Sequence, residues 1–142
     1  MKGVLAILFI LGTDEGRQVA KKKAKAYIPV TIIVILFTGI YEMFGHGVIS
    51  MFMVSAGAFP LVMGILFWLL MSRIDTKIII SDMFVNGWTA TLFTLMLGFI
   101  YKGVLDIYGT YGSLTNIYWL VSGGMFMLAL IGINIKPDQE EE

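Results

Sequence analysis

The sequence predicts an all-α, polytopic membrane protein, with four transmembrane helices built as two similar hairpins. Three observations carry that expectation. The 142-residue chain is 58% hydrophobic and only 14% charged, whereas soluble domains carry about a quarter charged residues. Its apolar residues gather into four runs, at 27–44, 51–71, 83–105 and 115–135, which meet or approach the roughly 20 residues a helix needs to cross a bilayer. Its basic residues gather on alternate connections between those runs. Runs this long and oily are helices, because lipid offers no partner to an open strand edge.

The chain begins with a segment, 1–26, that is not a span. Residues 3–12, GVLAILFILG, are apolar but too short to cross. The Thr13-Asp14-Glu15-Gly16 that follows is a poor small-residue cleavage site, so a re-entrant or interface-lying segment is expected. Arg17, Lys21, Lys22, Lys23 and Lys25 follow. They set topology, and they can also lie on anionic headgroups. The first span, 27–44, comes next. The second, 51–71, carries no charge, and Pro60 within it is expected to kink the helix. Arg73 and Lys77 lie in the connection that follows. Ser81 and Asp82 read as the N-cap of the third span, 83–105. Asn86, Thr89, Thr91 and Thr94 on that span are positions for hydrogen bonds between helices. The fourth span, 115–135, leads to Lys136 and an acidic cytoplasmic tail, 136–142. Four crossings place all the basic clusters on one face and leave only Lys102 on the other. The positive-inside rule makes the basic face cytoplasmic, with both termini on it. The expected location is the cell membrane, multi-pass.

The hairpins are similar in sequence. FTGIYEMFG at 37–45 aligns with YKGVLDIYG at 101–109, pairing Gly39 with Gly103, Glu42 with Asp106 and Gly45 with Gly109. The copies end the first and third spans, which run the same way, as in a parallel repeat about an axis along the membrane normal. They bring four ionisable groups to one level. Glu42 and His46 share a helix face if the helix continues through Gly45, and Lys102 and Asp106 share one at the same i, i+4 spacing. Tyr41, Tyr101 and Tyr108 surround them. Two readings stand side by side. These groups are interface anchors, charges that snorkel among tyrosines of the aromatic belt. Alternatively they form an outward-opening polar site for a cation, a proton or a zwitterion. No metal site is expected. The residues nearest to one are Glu42, His46 and Asp106 for zinc, with the thioethers of Met43, Met51 and Met53 for Cu(I). Gly39, Gly57, Gly103, Gly123 and Gly124 are candidates for close helix packing.

Several classes are excluded or disfavoured. With no cysteine there is no disulfide, thiol catalysis or thiolate metal site. A single histidine cannot build a bis-histidine haem site within one chain. No Gly-rich phosphate loop, HExxH or nucleophile elbow is present, so neither a catalytic centre nor a cofactor is expected. A net charge of zero gives no field that favours nucleic acid. The expected partners are the bilayer and either a second copy or a larger membrane complex.

Tyr41, Glu42, Phe44, His46, Gly47, Val48 and Ser50 form a motif, as do Gly87, Ala90 and Thr91, and Lys102 through Thr110. In these motifs, over roughly residues 38–124, the chain resembles a family of small four-helix membrane proteins of Firmicutes whose function is uncharacterised. Asp106 stands where that family usually has Glu, and Trp88 and Phe93 also depart from its pattern. The resemblance implies a bacterial cytoplasmic membrane and singles out the same outer-face groups. Three function classes stay open: a protein that binds or moves a small polar solute or ion, an accessory subunit of an exporter or sensor, and, least favoured, a membrane-embedded enzyme.

Overall fold

The computed structural model describes residues 9–135. The acidic tail and the start of the N-terminal apolar segment lie outside them. Four helices dominate: α1 (Asp14–Phe44), α2 (Met51–Met71), α3 (Asp82–Ile107) and α4 (Thr115–Ile131). The first three are long and apolar enough to span a membrane, and α4, at 17 residues, is a shorter apolar helix. Three short strands, β1 (Phe9–Leu11), β2 (Ile78–Ile80) and β3 (Ile133–Ile135), form one antiparallel sheet in the order β1-β2-β3.

The sheet was not expected, and it changes two boundaries. Residues 9–11 are a strand, with Ile10 paired to Ile79. The fourth helix stops at Ile131, and 133–135 pair with β2. The sheet gathers the start of α1, the α2–α3 connection and the end of α4 at one end of the molecule. Gly12, at φ +85°, makes the join possible, since a Cβ there would meet the Asp75 carbonyl oxygen at 2.6 Å. Thr13 then caps α1, its hydroxyl accepting from Gly16 N at 3.1 Å and donating to Ile10 O at 2.7 Å.

Helix α1 starts thirteen residues before the expected span. The buried positions Gly16, Ala20, Ala24, Tyr27, Thr31, Val34 and Thr38 recur every three or four residues along its whole length. The lysine-rich stretch is therefore the first turns of α1, packed through Ala20 and Ala24, with Lys23 Nζ 5.6 Å from the Trp68 ring centre. Tyr27 reaches α3, its hydroxyl 3.1 Å from Thr89 Oγ1. Asn86, the other expected link, is exposed.

Pro60 does disturb α2. The helix is α-helical over Met51–Ala56, π-helical over Pro60–Leu66 and α-helical again over Phe67–Met71. Proline lacks the N–H that the ladder needs, and a π-turn is one way to absorb the break. The indole of Trp88 on α3 donates to Met63 O inside this turn at 2.8 Å, while its ring stacks on Phe67 at 4.0 Å. Each helix packs chiefly on its neighbours in sequence: α1 on α2, α2 on α3, α3 on α4.

Close packing follows some of the expected glycines. A Cβ on Gly57 would meet Ile35 at 2.9 Å, and one on Gly103 would meet Met53 Cβ and backbone N at 2.8 Å. Gly39, Gly123 and Gly124 have nothing within 4 Å, so they make no close contact among the described residues. Gly64 against Tyr27, Gly87 against Ala129 and Gly98 against Tyr118 are close approaches that went unrecognised in the sequence. Gly87 and Gly98 are eleven residues apart, three helical turns, which is the signal that both face α4.

Candidate polar site at the α1–α2 turn

The α1–α2 turn builds the site. Helix α1 ends at Phe44, and the N–H of its cap, Gly45, donates to Glu42 O. His46 (φ 53°) and Gly47 (φ +87°) are both left-handed, a conformation that histidine enters more readily than most residues. This reverses the chain, so that Ser50, 3% exposed, caps α2 directly beside the last turn of α1.

Ser50 is the junction. Its backbone N–H donates to Glu42 Oε1 at 3.0 Å. Its hydroxyl donates to Asp106 Oδ2 at 3.1 Å and accepts from Met53 N at 3.5 Å. Lys102 Nζ donates to Asp106 Oδ1 at 2.9 Å, and lies 5.4 Å from the Phe52 ring centre and 5.8 Å from that of Tyr111. A carboxylate from α1 and one from α3 thus meet at the N-terminus of α2, whose unpaired N–H groups and dipole favour negative charge. Two carboxylates and one ammonium leave one net negative charge.

Anchoring alone would account for most of this geometry. It does not account for Glu42 Oε2, which is buried and has no hydrogen-bond partner among the described residues. Buried carboxylate oxygens are normally satisfied, and an orphan calls for an explanation. The atom can accept from a polar ligand, ligate a cation or carry a proton.

The other candidate residues go elsewhere. The pairing of His46 with Glu42 on one helix face fails, because the helix ends first; the His46 side chain is exposed. Tyr41, His46 and Tyr108 instead line a separate cavity of about 230 Å³, with Phe44, Gly45, Val48 and Ile107. Tyr101 turns toward α4, its ring centre 5.7 Å from that of Tyr118. Among the described residues no three His, Asp or Glu side chains gather as a metal-ligand group, so Glu42, His46 and Asp106 do not form one. Met53 is buried, while Met43 and Met51 are exposed.

Ser50 is the residue that reasoning from charge missed. It is uncharged, although it stands in the motif with Glu42. No protein-family model, curated protein or solved structure matches the chain.

Proposed function

We propose that this chain is a bacterial cell-membrane protein that binds or moves a small polar solute or ion through the polar site of Glu42, Ser50, Lys102 and Asp106. The single observation that carries the reading is the buried, unpartnered Oε2 of Glu42 beside a second carboxylate. A net negative cluster of carboxylate and hydroxyl oxygens suits a small cation or a proton best. The similarity of 37–45 to 101–109 supports it, since the two carboxylates joined through Ser50 are the paired positions of those copies. The basic sheet end is taken as cytoplasmic and the site as external. Membership in the Firmicutes family belongs to the same proposal.

The test is flux in proteoliposomes, read with a pH-sensitive dye and with radioactive sodium and potassium. Glu42→Gln should cut transport of the responsive ion at least tenfold while the protein unfolds at about the same temperature. Unchanged flux with both Glu42→Gln and Asp106→Asn would sink the proposal.

One observation favours the accessory-subunit reading as an alternative. Helix α4 packs chiefly on α3 and leaves Leu120, Met127 and Ile131 more than 60% exposed, with Gly123 and Gly124 uncovered. Purification in mild detergent from a native host, followed by mass spectrometry, would show a second protein at fixed stoichiometry if that reading holds.

A further inference from the structure

A second polar cavity, of about 420 Å³, lies at the opposite end of the molecule. Arg17 and Glu42 are separated by twenty-five residues of one helix, about 37 Å, so this cavity is independent of the reading of the Glu42 site. Arg17 and Lys21 line it from one face of α1, and Leu69, Ser72, Arg73 and Asp75 from the end of α2 and the turn beyond. Three cations face one anion. Arg17 already pairs with Asp75 through one guanidinium nitrogen. Its Nε is buried and has no partner among the described residues. A buried guanidinium N–H is a strong donor that is costly to leave unmet. The first turn of α1 adds the positive end of a 31-residue helix.

We infer that this cleft binds an anionic phosphate group, and that the group is the headgroup of an anionic phospholipid. The charge selects phosphate, and the surroundings select lipid. The cleft lies where two apolar helices reach the basic end. Leu69, which lines it, and Leu66 and Leu70 beside it are 43–55% exposed. On a membrane protein those leucines face acyl chains. A headgroup seated on Arg17, Lys21 and Arg73 would place its tails along them.

The test uses full-length protein in detergent micelles doped with phosphatidylglycerol or phosphatidylcholine, with bound lipid counted by native mass spectrometry. The unaltered chain should retain one phosphatidylglycerol in preference to phosphatidylcholine. The double substitution Lys21→Gln/Arg73→Gln should weaken retention roughly thirtyfold, as expected for two cations at the headgroup level. Lys22→Gln/Lys25→Gln, which removes equal charge from positions that do not line the cleft, should leave it nearly unchanged. Equal losses in both doubles would mean diffuse attraction and overturn the inference. Displacement of the lipid by millimolar inorganic phosphate would make a soluble anion the occupant and overturn the headgroup assignment. Asp75→Asn guards against misfolding as a cause, because it removes the competing anion and should tighten retention roughly fivefold. Unchanged or weaker retention there counts against the site.

Discussion

Ser50 joins the two carboxylates at the α1–α2 turn. Its hydroxyl both caps α2 and donates to Asp106, and its N–H holds Glu42. Ser50→Ala would keep the Glu42 contact, which comes from the backbone, and would lose the other two. A lost cap costs about 1 kcal/mol, and a lost hydrogen bond to a charged group costs about 1.5–3 kcal/mol. Because one atom makes both bonds, they do not simply add, and a loss of about 2–3 kcal/mol is expected. Thermal unfolding in detergent should show a clearly lowered midpoint for Ser50→Ala and near-normal behaviour for Ser50→Thr, which restores the hydroxyl. Equal midpoints for the two would mean that the hydroxyl contributes no stability. This residue also marks how far the site was legible. Glu42, Lys102 and Asp106 were readable because charge in an oily chain stands out. His46 was misplaced because spacing alone does not show that a helix stops at Phe44. Ser50 needed the three-dimensional turn that brings it to both carboxylates.

Among the elements, α2 and α1 show opposite outcomes for the same kind of reasoning. The bounds of α2, 51–71, were readable residue by residue, because a charge-free run stands between Ser50 and the polar Ser72-Arg73 pair. The start of α1 was not, because Ala20 and Ala24 are small and sit among lysines, so their packing role has no hydropathy signal. The three-residue strands were hidden because they are too short to show a strand period: 133–135 reads as the end of the fourth span, while 9–11 and 78–80 fall in segments outside the spans. Packing between helices depends on which glycine faces which neighbour. Gly103→Ala puts a methyl 2.8–2.9 Å from Met53 backbone and Cβ atoms, none of which can rotate away. The helices α2 and α3 must separate, at about 1–3 kcal/mol. Gly39→Ala meets nothing and removes a flexible residue from a helix interior, a gain of about 0.5–1 kcal/mol. Thermal midpoints should therefore move in opposite directions. A common direction would show that these glycines do not differ in packing.

At the scale of the whole molecule, the sheet supports the proposed four crossings. Helix α3 starts beside β2 at Asp82 and ends at Ile107, far from the sheet, and β3 at 133–135 pairs back onto β2. The chain between must return the length of α3, and α4 is the only helix available to do so. Seventeen helical residues span about 25 Å, short of the hydrocarbon thickness of about 30 Å, so the connections at both ends of α4 complete the path. On the proposed four-crossing arrangement, Thr76, in the α2–α3 connection, and Ser113, before α4, lie on opposite sides of the membrane. Arg17, Lys21, Lys22, Lys23, Lys25, Arg73 and Lys77 cluster at the sheet end, against Lys102 at the other, and from that asymmetry the positive-inside rule expects Thr76 on the cytoplasmic side. The chain has no native cysteine, so single substitutions report sidedness cleanly. A membrane-impermeant maleimide applied to intact cells should label Ser113→Cys and leave Thr76→Cys unlabelled until the membrane is opened. Labelling of both from outside would break the four-crossing topology. Labelling of Thr76→Cys alone would keep the topology and invert it, and with it the side from which a ligand reaches Glu42.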